Sequence, residues 1–424
     1  MKQYDVEAVR SRFPALAVTD GGVPRAYLDN PAGTQVPRQV VDAIARTMLE
    51  ANANLGGHFE TSRRAQEAVD GARSAMADLL NAPSPEEIVF GQNMTSLTFH
   101  VSRSIGRLLR PGDEIVVTRM DHDANVTPWV LLARDLGLEI RWLPFDLETF
   151  EFGPAALDGV LSPRTRLVCV GGASNLTGTV HDVQGICRRA REAGVMTYID
   201  AVQSVPHLST DVQALDCDFL ACSAYKFFGP HMGILWGRRE ILERLEPYKV
   251  RPAADAPPEC FETGTQSHEG MAGVAAAVDH LAWIGATMAG DYHEQNARYG
   301  SARRRDLHAA MDCIFAYEAA LASRLVDGLT ALPGVKVQGI TAPEAMDRRV
   351  PTVSFTARGR HPAEIARALG DRQIFVWHGH NYAVEAAVAL GIYDSGGAVR
   401  VGPVHYNTAA EIDRLLAALE EILA

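Results

Sequence analysis

Residues 218–237, DFLACSAYKFFGPHMGILWG, contain two apolar runs of strand length on either side of a short turn that carries a lysine. Short apolar runs bounded by turn residues are typical of strands that are buried in a sheet. Runs of the same kind, EIVF, EIVVTR, LEIRWLP, RLVCVGG and VMTYIDA, alternate with helical stretches from about residue 85 onward. The alternation predicts an α/β fold in which a mixed, mainly parallel sheet is flanked by helices.

The lysine of that turn is Lys226, and an aspartate stands at the end of an earlier strand-like run. This residue, Asp200 in YIDAVQS, precedes Lys226 by 26 positions, and each of the two follows a predicted strand. In open α/β sheets, ligands bind beyond the carboxyl ends of the strands. A lysine amine for a Schiff base and a carboxylate for a pyridinium nitrogen are the two contacts that a protein must make with pyridoxal 5'-phosphate. The pair therefore predicts an enzyme that uses this cofactor.

The pattern of the chain changes near residue 290, which divides it into two predicted domains. A long helical region through Leu332 is followed by the β-rich runs GVKVQGI, PTVSFTA, IFVWHG and AVRVGP, which alternate with helical stretches. We expect a large cofactor-binding domain at residues 21–290 and a smaller α+β domain at residues 291–424, a normal domain size. Residues 1–20 are expected to form an N-terminal segment that packs with the small domain.

The composition of the 424 residues favours a globular protein and disfavours several kinds of partner. Hydrophobic residues make up 47% of the chain, and the net charge of −12 is spread without long runs. A surface for nucleic acid or for an anionic membrane is therefore not expected. No run approaches the roughly 18 to 20 uncharged apolar residues of a membrane helix, so we expect a cytoplasmic protein without a membrane segment.

The six cysteines show neither a CxxC pair nor the spacing of metal ligands. Most of them lie inside apolar segments, as small core residues do. We therefore expect reduced, mostly buried thiols and no metal site. The cysteines are Cys169, Cys187, Cys217, Cys222, Cys260 and Cys313.

Seven segments, spread over nearly the whole chain, carry a resemblance to a known family. They are YLDNPAGTQVP (27–37), DHDANVTPW (121–129), SNLTGTVHD (174–182), YIDAVQS (198–204), SAYKFFGP (223–230), FETGTQ (261–266) and RVGPVHYNTAAEIDRLL (400–416). In this order they resemble the class V aminotransferase or cysteine desulfurase-like family of fold-type I pyridoxal phosphate enzymes. The resemblance implies a large domain with a mainly parallel sheet, a smaller α+β domain and pyridoxal 5'-phosphate as the cofactor.

Five matched positions correspond to family residues around the cofactor ring. Lys226 resembles the lysine that forms the Schiff base and then removes the α-proton, and Asp200 resembles the partner of the pyridine nitrogen. A carboxylate there keeps the nitrogen protonated, so that the ring accepts electrons from the α-carbon of the substrate. His122 matches the histidine that stacks on the ring and transfers protons, which suits a side chain that titrates near neutrality. Asn175 and Gln203 resemble the residues that hold the phenolic oxygen.

The phosphate group is expected at a helix N-terminus, where backbone N–H groups and the helix dipole favour an anion. The loosely matched turn in IVFGQNMTS offers the backbone donors of Asn93 and Met94. Ser223 resembles a phosphate-binding serine, and Tyr225 replaces a family histidine with a phenol that can still donate. Thr265 matches a residue that reaches the phosphate of the neighbouring subunit, which implies a homodimer.

Arg400 matches the family arginine that binds the α-carboxylate of the substrate, as a fork that fits a planar anion. A solvent-exposed arginine is the alternative interpretation. The residue stands between apolar strand residues, however, and Gly402 and Pro403 follow it. We therefore expect Arg400, together with Asn175, to bind the substrate.

The run FVWHGHNYA, residues 375–383, departs from the family pattern. Cysteine desulfurases carry a nucleophilic cysteine on this loop, and Tyr382 occupies the corresponding position. A phenol cannot take up a persulfide sulfur, so we expect a branch that lacks the desulfurase cysteine and an enzyme that is not a cysteine desulfurase. The side chains of this loop either contact a polar or aromatic substrate, or they belong to a packed loop in which their polar atoms form hydrogen bonds with neighbouring residues. Its candidate substrate contacts are Trp377, His378, His380 and Tyr382.

These features predict a lyase or transferase that acts on an amino acid or amine through an external aldimine and an α-carbanion. Aminotransfer and epimerisation are alternatives, because the same carbanion leads to each and the pocket decides among them. An alternative of another class is a catalytically silent protein that binds the cofactor or serves as a scaffold. The complete set of predicted site residues argues against this alternative, since reactive side chains gathered at one site usually serve a reaction.

Overall fold

A computed structural model describes residues 4–424. The first three residues of the predicted N-terminal segment, residues 1–20, lie outside the described residues. The strands are β1 (Thr19–Asp20), β2 (Val23–Pro24), β3 (Ala26–Tyr27), β4 (Ile88–Gly91), β5 (Glu114–Thr118), β6 (Glu139–Leu143), β7 (Thr165–Gly171), β8 (Met196–Asp200), β9 (Phe219–Ser223), β10 (Gly233–Gly237), β11 (Val335–Gln338), β12 (Val353–Ala357), β13 (Ile374–Phe375), β14 (Trp377–Gly379) and β15 (Ala398–Val401). The helices are α1 (Val6–Arg10), α2 (Arg38–Glu50), α3 (Glu60–Leu79), α4 (Met94–Gly106), α5 (Thr127–Leu136), α6 (Pro154–Leu157), α7 (Val183–Glu192), α8 (Val212–Leu215), α9 (Arg239–Leu242), α10 (His268–Met288), α11 (Ala302–Ala331), α12 (Pro362–Gly370), α13 (Val384–Ala389) and α14 (Ala409–Leu423).

A seven-stranded central sheet has the strand order β4-β10-β9-β8-β7-β5-β6. Strand β10 runs antiparallel to β4 and β9, and the other neighbouring strands are parallel, which confirms the predicted mixed, mainly parallel sheet. Successive residues of a strand point to opposite faces of the sheet. In β9, Phe219 and Ala221 pack into the core on one face, and Leu220 and Cys222 pack into the core on the other. Burial on both faces explains why these strands are unbroken apolar runs.

A smaller antiparallel sheet has the strand order β11-β12-β15-β14. Helices α11, α12 and α14 pack against it, and its core includes Phe355, Val399 and Leu415. The predicted combination of a large α/β part and a smaller α+β part is therefore confirmed. The exact domain boundaries stay predictions.

The N-terminal residues contact the C-terminal part of the chain. Tyr4 donates a hydrogen bond from its hydroxyl to the carbonyl of His405 at 3.0 Å, and Arg10 forms an ion pair with Glu411 at 3.2 Å. Strand β3 pairs in parallel with β13. Along the chain, β13 is followed directly by β14 of the small sheet. The chain before α2 therefore lies close to the small sheet, although the predicted boundary at residue 20 stays a prediction.

Helix α10 is long and apolar enough to cross a membrane by length and composition alone. We expected no run of roughly 18 to 20 uncharged apolar residues, and α10 reaches this length with Glu269 and Asp279 within it. The helix packs against α2, α3 and α11, and 56% of its most apolar window is buried inside the protein. Its apolar side chains contact other helices, as those of a core helix do.

A buried arginine joins the loop that carries Asn175 to the small sheet. Arg349 is 1% exposed, and its guanidinium donates hydrogen bonds to the carbonyls of Ile340 and, at 2.7 Å, of Thr352. Gly178 of that loop has a φ of +76°, and a Cβ added there would lie 2.2 Å from the carbonyl oxygen of Thr352. Only glycine fits such an approach between two backbones. The loop and the small sheet are therefore in direct backbone contact.

Arg349→Met should lower the free energy of unfolding by about 3 kcal/mol, because buried carbonyls lose their donor. The matched control is Arg348→Met, since Arg348 is largely exposed and pairs with Glu151 at the surface. We expect the control to change stability by less than about 0.5 kcal/mol. Urea unfolding followed by fluorescence measures both changes, and equal losses in the two variants would contradict the role of Arg349.

Candidate active site

A cavity of about 390 Å³ lies where the carboxyl ends of the central strands face the small sheet. Residues of both sheets line it, so neither sheet forms the cavity alone. Most residues that the sequence predicted for the site lie here. The predicted residues that line the cavity are Met94, His122, Asn175, Asp200, Gln203, Ser223, Tyr225, Lys226, Trp377, Tyr382 and Arg400.

The register of the central sheet explains why residues far apart in sequence meet at this cavity. Gly171, Asp200 and Ala221 are neighbours across β7, β8 and β9, so these strands end side by side. Lys226 follows β9 in a short 3-10 turn, Ala224–Lys226. Parallel strands place their carboxyl ends at one edge of the sheet, which brings Asp200 and Lys226 into the same cavity.

Lys226 presents its amine to the cavity from a partly buried position. Its Nζ donates hydrogen bonds to the backbone of the turn after β3, including one of 2.8 Å to the carbonyl of Ala32. Burial and then the charge of Arg400 lower the pKa of Lys226 to about 7, while Asp29 and Asp200 oppose the change. Near neutral pH, Lys226 is therefore a neutral amine in a substantial fraction of the molecules, and the neutral amine is the nucleophilic form.

Asp200 is a buried carboxylate, 7% exposed, whose Oδ1 accepts a hydrogen bond from the N–H of Val202 at 2.9 Å. Burial raises the pKa of Asp200 to about 6, although that hydrogen bond and the charge of Lys226 oppose it. A buried carboxylate with so few donors is stabilised by a cation brought next to it. A protonated ring nitrogen is such a cation.

The N-terminus of α4 lies at one side of the cavity. The N–H of Met94 donates to Oγ of Ser223 at 3.1 Å, which fixes the serine beside the first turn of the helix. The side chain of Asn93 caps the helix by accepting from the N–H of Ser96 at 2.8 Å, and Asn93 lies outside the cavity lining. The positive end of the helix dipole makes this side of the cavity suited to an anionic group such as a phosphate.

Tyr225 lines the cavity beside the lysine. Its ring stacks on His231 with the centroids 4.9 Å apart, and Nζ of Lys226 lies 4.9 Å from the centre of the same ring. Burial raises the pKa of Tyr225. The phenol therefore stays protonated and available as a donor.

Asn175 and Gln203 line the cavity, but their amide groups are engaged with other residues. Nδ2 of Asn175 donates to the carbonyl of Asn381 at 2.6 Å, and Nε2 of Gln203 donates to Oγ1 of Thr352 at 2.8 Å. Each NH2 group has a second hydrogen, so the predicted donation to a phenolic oxygen stays a prediction. Among the described residues, the buried Oδ1 of Asn175 has no partner, which leaves it free to accept from a ligand.

Arg400 is 4% exposed and lies on β15. Its Nη1 donates to the carbonyl of Asn175 at 3.2 Å, and its Nη2 lies 3.5 Å from Oδ1 of Asp29. The buried Nε has no partner in the described part of the chain. Burial lowers the pKa of the guanidinium, and the charge of Asp29 opposes this. A buried guanidinium with a free donor favours a planar anion such as a carboxylate.

The ring of His122 is stacked on Tyr382, with centroids 5.3 Å apart and an interplanar angle of 17°. Its Nδ1 accepts from the N–H of Ala124 at 3.0 Å, so the proton of the neutral ring lies on Nε2. Burial and then the charges of Lys226 and Arg400 lower the pKa of His122 to about 3. His122 is therefore a neutral imidazole near neutral pH.

The register of β14 divides the candidate residues of the loop between two sides. Trp377 pairs with Arg400 on β15, and both line the cavity. His378 is the next residue along the strand and points to the opposite face. His380 stacks on Tyr393 with centroids 5.5 Å apart, outside the cavity lining. The substrate contacts predicted for His378 and His380 are therefore not supported.

Thr265 lies in a second cavity, of about 470 Å³, which Gln92 and His100 also line. It is therefore separated from Lys226 within one chain. Its predicted contact with the cofactor of a neighbouring subunit stays a prediction.

Several further polar residues lie at the cavity. Asp121 lines it, and its Oδ1 accepts from the N–H of Gly171 at 3.0 Å. Burial raises the pKa of Asp121 to about 7. Its signal in the sequence was an acidic residue two positions beyond Arg119, shortly after the end of β5 and next to His122. Thr95 and Asn381 also line the cavity; each lies in a segment for which a contact was predicted, next to Met94 and within the loop 375–383.

The residues of the cavity fit pyridoxal 5'-phosphate. They supply a lysine amine, a buried carboxylate and a serine hydroxyl beside a helix N-terminus. Oδ1 of Asn175 and Nε of Arg400 are buried without a partner in the described part of the chain, so they can form hydrogen bonds with further polar groups of a ligand. The volume of the cavity also lies in the usual range for small-molecule sites. Fold and site together define a pyridoxal phosphate enzyme of fold-type I.

Comparisons with known proteins agree with this class. The family described as aminotransferase class-V matches residues 26–309 and 306–415. A probable cysteine desulfurase of Streptomyces coelicolor is 34% identical over 438 residues, which cover 99% of this chain and 97% of the relative. The structure of a cysteine desulfurase from Thermococcus onnurineus gives a TM-score of 0.85 at 29% identity, with 98% of both chains covered. For a cysteine desulfurase of Escherichia coli, the TM-score is 0.82 at 27% identity, with 99% of this chain and 100% of that chain covered. The chain belongs to the class V aminotransferase family, and its cofactor is pyridoxal 5'-phosphate.

These comparisons contradict the expectation that the protein is not a cysteine desulfurase. That expectation rested on Tyr382 alone, whereas similarity to proteins named cysteine desulfurase extends over almost the full length. A separate branch of the family that lacks the desulfurase cysteine is not shown either.

Lys226→Ala should abolish the absorption of the purified protein at the edge of the visible range, because no amine then holds the cofactor covalently. The matched control is Lys336→Ala, since Lys336 is exposed on β11. Absorption spectra at equal protein concentration measure the effect. An undiminished band in Lys226→Ala would exclude this lysine as the attachment point.

Cofactor-free protein should bind pyridoxal phosphate faster as the pH rises through about 7, because the neutral form of Lys226 increases above its pKa. Arg400→Met should move the midpoint to higher pH, since it removes a positive charge that lowers this pKa. Arg348→Met should leave the midpoint unchanged. Stopped-flow absorbance measures the rates, and a wild-type midpoint close to the ordinary lysine pKa of 10.5 would contradict the proposed environment.

Proposed function

We propose that this protein cleaves the bond between the β-carbon and the sulfur of L-cysteine, as an enzyme of the cysteine desulfurase class. The observation that carries the proposal is the meeting of Lys226, Asp200 and Arg400 in one cavity between the two sheets. The names of relatives that match over nearly the whole chain support the choice of cysteine as substrate. Chemically, the reaction is the removal of a sulfur substituent from a bound amino acid.

Arg400 orients the amino acid in this proposal. Its guanidinium has a free buried Nε and lies next to the wall of the cavity formed by Asn175. A carboxylate that binds there gains charge-assisted hydrogen bonds in a site with little water. The α-carboxylate is thereby fixed at the small-sheet side, and the α-carbon is directed toward Lys226.

Lys226 is the base in this proposal. Because burial and Arg400 lower its pKa to about 7, a substantial share of the amine is neutral near neutral pH, and this neutral form accepts a proton from the α-carbon. Pyridoxal phosphate, when bound, supplies the electron sink that makes this proton acidic. Asp200 stabilises a protonated ring nitrogen, since its buried carboxylate gains a cationic partner.

His122 and Tyr382 line the cavity together, with His122 on the loop that follows β5 and Tyr382 on the loop that follows β14. Their stacked rings lie over part of the site, and the neutral imidazole of His122 carries its proton on Nε2, which can donate a hydrogen bond to a ligand. Arg400 and Asp200 are themselves buried, and burial strengthens their interactions with charged groups of a ligand.

We further propose that the protein is a homodimer in which Thr265 completes the phosphate site of the partner chain. Gln92 and Ser96 flank the first turn of α4 and line the same cavity as Thr265. A segment of a second chain that enters this cavity would lie next to the N-terminus of α4, where we expect the phosphate of the cofactor. Members of the family commonly form dimers.

Purified protein with pyridoxal phosphate should convert L-cysteine to alanine in the presence of a reducing thiol. Arg400→Met should raise the KM for L-cysteine by about 100-fold, because a buried charged contact to the carboxylate is lost. Arg348→Met should leave KM and kcat unchanged. Chromatographic measurement of alanine tests these outcomes. Turnover of another amino acid in a broad panel, with none of L-cysteine, would contradict the proposed substrate.

A further inference from the structure

All six cysteines of the chain lie among the described residues, and every one of them is buried. Their exposed fractions range from 0% to 8%, and none lines the cavity. Cys169 and Cys222 lie on central strands and pack into the cores on opposite faces of the sheet. Burial raises the pKa of both thiols. A protonated, buried thiol is neither a nucleophile nor an acceptor of sulfur.

The loop with Tyr382 is held against the cavity by contacts with the central sheet's loops. The N–H of Asp123 donates to the carbonyl of Tyr382 at 2.7 Å, and Nδ2 of Asn175 donates to the carbonyl of Asn381 at 2.6 Å. Stacking on His122 fixes the phenol ring as well. These contacts fix a phenol, where desulfurases carry their cysteine, at the mouth of the cavity.

The mouth of the cavity is open to solvent at two aromatic side chains. Tyr382 is 66% exposed and Trp377 is 55% exposed, although both line the cavity. Large apolar side chains with this exposure at the rim of a site are typical of a surface that receives a ligand. Aromatic rings also make favourable contacts with sulfur.

We infer that the sulfur acceptor is a thiol from outside the chain, which enters the cavity beside Trp377 and Tyr382. This inference rests on the proposed function and specifies its second substrate. The acceptor is either a small thiol or a cysteine of another protein, because both present the same sulfur to the same opening. Its thiolate is the attacking form.

The transfer is balanced without another reactant. The bond between the β-carbon and the sulfur of the substrate breaks, and a bond forms between that sulfur and the sulfur of the acceptor. The β-carbon gains a hydrogen and is reduced, while the acceptor thiol loses its hydrogen and is oxidised to a persulfide. The products are alanine and the acceptor persulfide.

A single-turnover experiment with the cofactor-loaded protein and substoichiometric L-cysteine tests the inference. Dithiothreitol and a peptide with a single cysteine serve as the two acceptors, and alanine and persulfide are measured by mass spectrometry. Wild-type protein should form alanine only when an acceptor is present, with the sulfur on the acceptor and no sulfur added to the protein. If alanine and a persulfide form with the peptide but not with dithiothreitol, the acceptor is a protein thiol. If they form with both acceptors, small thiols are acceptors as well.

Tyr382→Cys should form alanine without an acceptor and gain the mass of one sulfur atom, because the variant places a thiol at the mouth. Tyr393→Cys is the matched control, since Tyr393 is an exposed aromatic residue of the same region outside the cavity lining. It should behave like the wild type. In the native wild-type protein, an alkylating reagent should leave all six cysteines unmodified.

Two outcomes would overturn the inference in different ways. If wild-type protein forms alanine without an acceptor and carries the sulfur on one of its own cysteines, the proposed function holds and the external acceptor is wrong. If no alanine forms with any acceptor or in Tyr382→Cys, the proposed function itself is wrong, and the inference fails with it.

Discussion

The balance of charge around Lys226 is the constraint on which the rest of the site depends. Burial and the positive charge of Arg400 destabilise the ammonium, whereas Asp29 and Asp200 stabilise it. Such interactions are stronger in a partly buried site than in water. Arg400 belongs to the small sheet and Asp200 to the central sheet. An amine with a pKa near neutrality therefore requires that the two sheets stay in fixed relative positions.

Contacts between the loops of the two sheets provide that fixed arrangement. Arg349 and Gly178 join the loop after β7 to the small sheet, and Gln203 donates to Thr352 across the same boundary. These groups are buried, so each lost contact leaves an unsatisfied polar atom. The two amides expected to hold the cofactor's phenolic oxygen are part of this boundary, which explains why they are engaged with protein atoms.

The loop with Tyr382 shows how a local pattern can mislead about function. The resemblance aligned Tyr382 with the desulfurase cysteine, and this single position led to the wrong expectation that the protein is not a cysteine desulfurase. The remaining site, however, retains the residue types that bind an amino acid and the cofactor. Under the proposed function, the burial of all six cysteines leaves open which thiol receives the sulfur.

The strands, the helices and the pair Lys226 and Asp200 could be predicted because they depend on local information. Apolar runs between turn residues define buried strands, and residues that directly follow parallel strands meet at one edge of the sheet. The side on which His378 and Trp377 lie could not be predicted, since it depends on the register between β14 and β15. Asp121 was missed because an acidic residue after a strand is equally typical of a turn.

The sequence by itself determined the order of strands and helices, the cofactor and the residues that present the amine and the carboxylate. Only the tertiary structure decided which charges surround Lys226, which donors of Asn175 and Gln203 are already used, and which aromatic side chains stand at the mouth. The physical reason is that burial, pKa values and hydrogen-bond partners depend on contacts between segments far apart in the chain, whereas local propensity and strand patterns do not.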